Sequence, residues 1–193
     1  MDTARYFAAV LVLVSYPPAL CFWLLAHPLV RVWRRLGPGP SYTVILAAMI
    51  VLGAVMYNLR EVFVSVDYGT NYYLWPLALL CYGSAVYIEI KCRKHLTFKM
   101  LVGFPEFALE MSGGRLLSEG AYARVRHPRY VSAMLGLLGV AFFANYRGIY
   151  ILFLLSIPII FLVAVLEERE LRKRFGSEYV KYCDNVPRFF PRL

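Results

Sequence analysis

A short polar segment, GAYARVRHPRY at residues 120–130, carries the side chains best suited to bind a charged ligand. Proline disfavours helical backbone at the residue before it and fits the first turn of a helix, so His127 and Pro128 predict a helix that begins at Pro128. The amide groups and positive dipole at the start of that helix, with Arg126 and Arg129, would attract a carboxylate or a phosphate. His127 can add a hydrogen-bond donor from either ring nitrogen.

Two adjacent carboxylates, Glu167 and Glu168, follow a long apolar run and form the second candidate group. A carboxylate beside hydrocarbon is costly unless a cation or a hydrogen-bond donor pairs with it. Helical spacing offers Arg172 to Glu168 and Arg174 to Glu170. Glu167 has no cation at that spacing, so we expect it to bind an amino or hydroxyl group of a ligand.

A purely structural explanation stays open for both groups. Arginines beside apolar runs also follow the positive-inside bias of membrane proteins, and a histidine before a proline can simply cap a turn. The sequence contains no GxGxxG, GxxxxGK[ST], HExxH or GxSxG pattern. The four cysteines lack metal-ligand spacing, so no metal site is predicted. We expect His27 at an interface and His95 in a solvated basic run.

Long apolar segments must position these groups. The chain has 193 residues, of which 60% are hydrophobic, and its mean hydropathy is +0.58, which predicts an integral membrane protein. One crossing needs ~20 residues. Five segments predict an all-α fold with five transmembrane helices: residues 6–30, 42–64, 72–90, 130–144 and 149–166. The last two should form a helical hairpin that turns at residues 145–148, while Pro17, Pro18 and Pro158 predict kinks or breaks.

The basic residues alternate between the two sides of the predicted spans. Eighteen of the 21 lysines and arginines lie after span one, after span three or in the C-terminal tail. The other flanks hold only Arg5, Arg60 and Arg147. This bias predicts that the N-terminus lies outside and that the C-terminus and residues 120–130 lie in the cytosol.

The length allows one membrane domain and no separate soluble catalytic domain. We expect three spans in residues 1–98 and the cofactor-binding catalytic region, with spans four and five, in residues 99–193. The net charge of +9 suits anionic membrane lipids, because the basic residues flank apolar runs, and it does not indicate nucleic acid.

Taken together, these motifs resemble the isoprenylcysteine carboxyl methyltransferase family. The resemblance is carried by Gly120, Tyr122, Arg126, His127, Pro128, Tyr130, Glu167, Glu168, Phe175, Gly176, Tyr179, Tyr182, Val186, Pro187, Arg188 and Pro191. It implies an integral membrane enzyme that uses S-adenosylmethionine to methylate the α-carboxylate of a C-terminal prenylated cysteine. The lipid-like substrate, a prenylated peptide or protein, would enter from the bilayer and the cofactor from the cytosol.

The resemblance also implies a cofactor site. Its expected members are Leu116, Leu117, Tyr122, Val125, Arg126, His127, Pro128, Tyr130, Leu137 and Glu167. The family has an arginine four residues before the glutamate matched by Glu167, but Val163 stands there in this chain. We therefore expect Arg129 or Arg188 to hold the substrate carboxylate.

Three alternatives remain open at this point. A phosphatidylethanolamine N-methyltransferase would methylate an amine, a reductase of the sterol-reductase type would bind NADPH, and a membrane scaffold would bind neither cofactor. The host membrane would be the endoplasmic reticulum in a eukaryote and the cell membrane in a prokaryote.

Overall fold

The computed structural model describes residues 2–26, 28–94 and 116–192, and in these ranges the chain is helical, with no strand. The α-helices are α1 (Asp2–Ala26), α2 (Val30–Leu36), α3 (Pro38–Asn58), α4 (Arg60–Phe63), α5 (Trp75–Arg93), α6 (Pro128–Ala144), α7 (Arg147–Phe175) and α8 (Ser177–Asn185). Short 3-10 helices cover Tyr72–Leu74 and Gly120–Ala123. His27 and His95 lie outside the described residues, as does most of the predicted cytosolic loop.

Four helical segments are long and apolar enough to cross a membrane: Asp2–Ala26, Pro38–Asn58, Tyr72–Arg93 and Arg147–Phe175. They match predicted spans one, two, three and five. The predicted fourth span corresponds to α6, a shorter apolar helix of 17 residues. The predicted end of span one is wrong, because α1 ends at Ala26 and a separate helix, α2, begins at Val30.

The prolines do not break the helices that contain them. Helix α1 continues through Pro17 and Pro18, and α7 continues through Pro158, so of the two expectations the break is wrong and the kink stays a prediction. Neighbouring helices stabilise proline-containing spans by packing and by satisfying freed backbone groups. Helix α3 approaches α1 closely at this place, since a methyl group on Gly53 would lie 3.3 Å from the Val14 carbonyl oxygen.

Helices α5 and α6 pack closely against each other. The Ser132 hydroxyl donates to the Ala85 carbonyl at 2.8 Å. A methyl group built on Gly139 would lie 3.0 Å from the backbone of Ala78 and Tyr82. Small and hydroxyl-bearing residues let membrane helices approach in this way. The start of α6 is therefore fixed against the end of α5.

One end of the bundle, which we call the Arg5 end, is closed by a buried arginine. Arg5 is 1% exposed; it donates to the Ala144 carbonyl at 3.1 Å and pairs with Asp67. Asn145 adopts a left-handed conformation with φ 56° and ends α6, while Tyr146 forms an isolated antiparallel bridge with Asp67. The predicted turn between α6 and α7 is thus confirmed, and it is bound to the start of α1.

At the other end of the bundle, which we call the motif end, polar residues from several helices lie close together. Arg34 of α2 lies 3.4 Å from Glu170 of α7, and Arg129 at the start of α6 lies 3.9 Å from Glu89 of α5. Helix α8 packs against the last turns of α7. Residues far apart in the sequence therefore meet at this end of the bundle.

Candidate active site

Glu168 lies at the centre of the polar cluster at the motif end. The residue is 3% exposed. Its carboxylate accepts hydrogen bonds from Arg126 Nε at 3.0 Å and from Arg188 Nε and Nη2 at 2.9 and 2.7 Å. His127 Nε2 lies 3.1 Å away. The helical pair expected with Arg172 is wrong, because burial turns Glu168 inward to two cations that come from other parts of the chain.

His127 lies between the two carboxylates. Its Nε2 is 3.1 Å from a Glu168 oxygen and its Nδ1 is 3.3 Å from a Glu167 oxygen. Both oxygens are acceptors, so the ring satisfies them fully only when both of its nitrogens carry protons. Burial alone would lower the pKa of His127, but hydrogen bonds and charges from Glu167 and Glu168 outweigh burial and raise that pKa.

Glu167 is the more accessible of the two carboxylates. Its side chain is 30% exposed, against 4% for Glu168. The Tyr130 hydroxyl donates to Glu167 at 2.7 Å, and the Tyr130 ring stacks on His127 with 5.2 Å between centroids. Two neighbours thus fix the orientation of a carboxylate that solvent can still reach.

The start of α6 is paired with the segment after α8. The backbone amide of Arg126 donates to the Pro187 carbonyl at 2.8 Å, and that of His127 donates to the Arg188 carbonyl at 3.1 Å. The Arg126 guanidinium also reaches two more carbonyl oxygens, at 2.9 and 2.7 Å, those of Cys183 and Val186. The C-terminal segment therefore forms one wall of the cluster.

Helix α8 is bound to the 3-10 helix in the same way. The Tyr182 hydroxyl donates to the Tyr122 carbonyl at 2.6 Å. The Tyr122 side chain is half-buried, and burial raises its pKa, so the phenol stays neutral. Tyr122 belongs to the same end of the bundle as His127, as predicted.

The structure brings together Arg126, His127, Pro128, Tyr130 and Glu167 from the predicted site, and it places Arg188 beside them. Three other predicted members of the site come before His127 in the chain. Leu116 and Val125 are buried and Leu117 is half-buried, in the segment that leads to the motif.

Two predicted site residues lie apart from the cluster. Arg129 turns toward Glu89 of α5, at 3.9 Å. Leu137 packs in the apolar core with Ala9 and Ala141. Leu137 lies nine residues into α6, about 13 Å along the axis from Pro128, and its contact with a ligand stays a prediction.

The resembled isoprenylcysteine carboxyl methyltransferase family has an arginine at the position of Val163, and the structure places this position in an apolar environment. Val163 is 1% exposed and lies inside the bundle. The Arg188 guanidinium lies 5.0 Å from the centroid of the Phe161 ring. Phe161 is 49% exposed on the apolar surface of α7. Arg188 thus lies where the polar cluster meets the surface that would face lipid.

Sequence reasoning missed the central role of Glu168 and the pairing of residues 126–127 with 187–188. The sequence did contain a signal for the different roles of Glu167 and Glu168. Adjacent residues on a helix point about 100° apart, so Glu167 and Glu168 cannot share one environment. No local pattern indicates the pairing of residues 126–127 with 187–188, because three helices separate these segments in the chain.

Comparison with known proteins identifies the family of the chain. The family model described as phospholipid methyltransferase matches residues 74–178, more than half of the chain, and the chain belongs to that family. It is thus placed among membrane methyltransferases, and the matched region contains the motif and both carboxylates.

Two curated relatives are similar to part of the chain. The cobalt-zinc-cadmium resistance protein CzcN of Cupriavidus metallidurans is 32% identical over 90 residues, covering 45% of this chain and 41% of the relative. The nickel-cobalt-cadmium resistance protein NccN of Alcaligenes xylosoxydans xylosoxydans is 29% identical over 89 residues, covering 45% and 42%. The chain therefore spans under half the length of either relative. No solved structure matches it.

Proposed function

We propose that the chain is an S-adenosylmethionine-dependent methyltransferase that acts on an amphiphilic acceptor held in the bilayer. The observation that carries the proposal is the arrangement around His127. His127 contacts an oriented and accessible carboxylate, Glu167, and also Glu168, which pairs with Arg188. Arg188 in turn lies against the exposed apolar ring of Phe161, at the boundary between the polar cluster and the apolar surface of α7. A polar cofactor and an oily acceptor can meet at such a boundary.

The residues present suit an amphoteric cofactor. Glu167 can accept from an amino group or from ribose hydroxyls, and Arg126 lies among the cations that favour a carboxylate. Buried Leu116 and Val125 offer apolar surface to an adenine ring. We propose that the cofactor contacts are Leu116, Leu117, Tyr122, Val125, Arg126, His127, Pro128, Tyr130 and Glu167. When bound, S-adenosylmethionine would supply an electrophilic methyl group.

The state of His127 favours an acceptor that is already ionised. With carboxylates at both ring nitrogens, His127 holds no nitrogen ready to take a proton. The α-carboxylate of a prenylated cysteine is ionised at neutral pH and needs no general base. Orientation at the reacting methyl group then suffices. We therefore propose a carboxylate acceptor of the isoprenylcysteine class, with Arg188 as the group that positions it.

A second candidate acceptor follows from the family. The matching model describes phospholipid methyltransferases, for which the acceptor would be the amine of phosphatidylethanolamine. An ammonium group must lose a proton before it attacks a methyl group. The accessible Glu167 is the carboxylate that would receive that proton in this case.

We also propose that five helices cross the membrane and that the motif end faces the cytosol. Helix α6 is short, yet it begins at the motif end and ends beside Arg5, so it runs between the same two ends as the four longer spans. Among the described residues, Arg34, Arg126, Arg129 and Arg188 lie at the motif end. This arrangement supports the positive-inside orientation.

Methyl transfer from radiolabelled S-adenosylmethionine tests the proposal. The purified protein in lipid nanodiscs is given N-acetyl-S-farnesylcysteine in one reaction and phosphatidylethanolamine in another. We expect label in the farnesylcysteine ester and its loss in Glu167→Gln, while Glu178→Gln, at an exposed position of α8, serves as the matched control. Label in the phospholipid alone selects the second candidate. Binding of NADPH with no methylation of either acceptor contradicts both.

A further inference from the structure

One buried hydroxyl at the motif end makes no hydrogen bond with the polar cluster around Glu168. Tyr179 of α8 is 1% exposed, and its hydroxyl has no hydrogen-bond partner among the described residues. Buried hydroxyl groups are normally paired, because leaving one unpaired is costly. A ligand bound beside such a hydroxyl can supply the missing partner.

The position of Tyr179 on α8 directs it toward the cluster. Cys183 lies one helical turn later on the same face, and its carbonyl accepts from Arg126 at 2.9 Å. The next ring on the helix, Tyr182, lies 5.9 Å away between centroids and is fixed by its bond to Tyr122. The Tyr179 phenol also interacts electrostatically with Glu168, Glu167 and Arg126, so its hydroxyl lies near the polar cluster.

The Tyr179 phenol remains a donor in this environment. Burial first, and then the charge of Glu168, raise the pKa of Tyr179, so the hydroxyl keeps its proton. Glu168 already accepts from Arg126 and Arg188 and also contacts His127. The Tyr179 hydroxyl is thus available to a further acceptor oxygen.

We propose that Tyr179 is a ligand-binding residue whose hydroxyl donates a hydrogen bond to an acidic oxygen, carboxylate or phosphate, of a molecule bound at the motif end. The inference rests on the proposed function. That oxygen has two sources in the proposed reaction, the α-carboxylate of the cofactor and the acidic group of the acceptor. The arginines beside Tyr179 suit an anion from either source.

Tyr179→Phe removes this hydroxyl and little else. If the cofactor carboxylate is the partner, the Kd for S-adenosylhomocysteine, measured by isothermal titration calorimetry in nanodiscs, should rise roughly tenfold or more. Decarboxylated S-adenosylmethionine should then bind the wild type and the variant equally. If the acceptor is the partner, the Kd should stay unchanged and the KM for the methylated acceptor should rise by a similar factor.

Two other tyrosines provide controls. Tyr73→Phe, at a position 91% exposed, should change neither quantity. Tyr182→Phe loses its bond to the Tyr122 carbonyl and should lower the ligand-free melting temperature, which Tyr179→Phe should leave unchanged.

The outcomes separate the inference from the function on which it rests. A Tyr179→Phe protein with wild-type Kd and KM overturns the inference, as does one that loses ligand-free stability as Tyr182→Phe does, because the role is then structural. Failure of the wild type to bind S-adenosylhomocysteine overturns the proposed function and the inference together.

Discussion

The almost fully buried carboxylate of Glu168 contacts three side chains, those of Arg126, His127 and Arg188. Breaking a buried ion pair from one side is strongly destabilising, because the remaining charges lose their partner without regaining water. Glu168→Gln preserves the shape and removes the charge. We expect it to lower the free energy of unfolding by about 3 kcal/mol. Unfolding in mixed micelles measures this, with exposed Glu178→Gln as the control. Equal stability of the two variants would contradict the assignment.

His127 should make the stability of the fold depend on pH. Its pKa in the folded protein is raised above the usual 6.5 by the flanking carboxylates. The stabilisation is then fully present below 6.5 and disappears as pH rises through the folded pKa. We expect the wild type to lose stability over that range more steeply than His127→Gln. A stability difference between the two that stays constant or grows with rising pH would rule out the protonated bridge.

The sequence predicted half of this residue cluster. His127 and Glu167 were identified because their types and local spacing suggest ligand binding, and Tyr130 was identified through the family resemblance. Glu168 was assigned to a helical pair, because a sequence shows neighbours at i+4 but does not show which side chain the fold buries. Arg188 was named as a cation, yet its carboxylate partner depends on the path of the chain after α8.

Helices α5 and α6 place the motif, and Gly139 sets their separation. A methyl group there meets backbone atoms at 3.0 Å, whereas one on Gly136 lies 3.8 Å from a side-chain carbon of Ala85. Backbone cannot move aside as a side-chain end can. We expect Gly139→Ala to destabilise the protein by about 1–3 kcal/mol and Gly136→Ala to be nearly neutral, as measured by thermal unfolding in detergent. The reverse order would contradict this packing.

The C-terminal segment is held to the start of α6 by backbone bonds and by Arg188. Hydrogen–deuterium exchange should show protected amides at Arg126 and His127, which donate to Pro187 and Arg188. Arg188→Met removes both bonds to Glu168 and should speed exchange at these two amides by at least tenfold. Arg192→Met, which removes an exposed bond to the Asp184 carbonyl, should leave them protected. Fast exchange in the wild type would show that the segments are not paired.

Hydropathy and turn residues predicted the helices well, and their ends less well. The hairpin turn was predicted at residues 145–148, because polar residues and a glycine there interrupt two apolar runs. Of the predicted kinks or breaks at Pro17, Pro18 and Pro158, the breaks are wrong, because packing between helices can compensate for a missing amide and has no local signature.

As a whole, the molecule has two chemically different ends joined by apolar helices. Opposite exposure of these ends can be checked by cysteine labelling in a cysteine-free background in intact cells. We expect Tyr73→Cys, near the Arg5 end, to react with a membrane-impermeant maleimide. Glu178→Cys, on α8 at the motif end, should react only after the membrane is permeabilised. Labelling of both from outside would contradict the five-span orientation.

The central claim is that the motif end binds S-adenosylmethionine through Glu167 and its neighbours. Titration of S-adenosylhomocysteine into the wild type and Glu167→Gln, both in nanodiscs, tests it most directly. We expect one site per chain in the wild type and at least a tenfold weaker Kd in the variant, because a charged hydrogen-bond partner is lost. Absence of binding in the wild type, or the same Kd in both proteins, would contradict the claim.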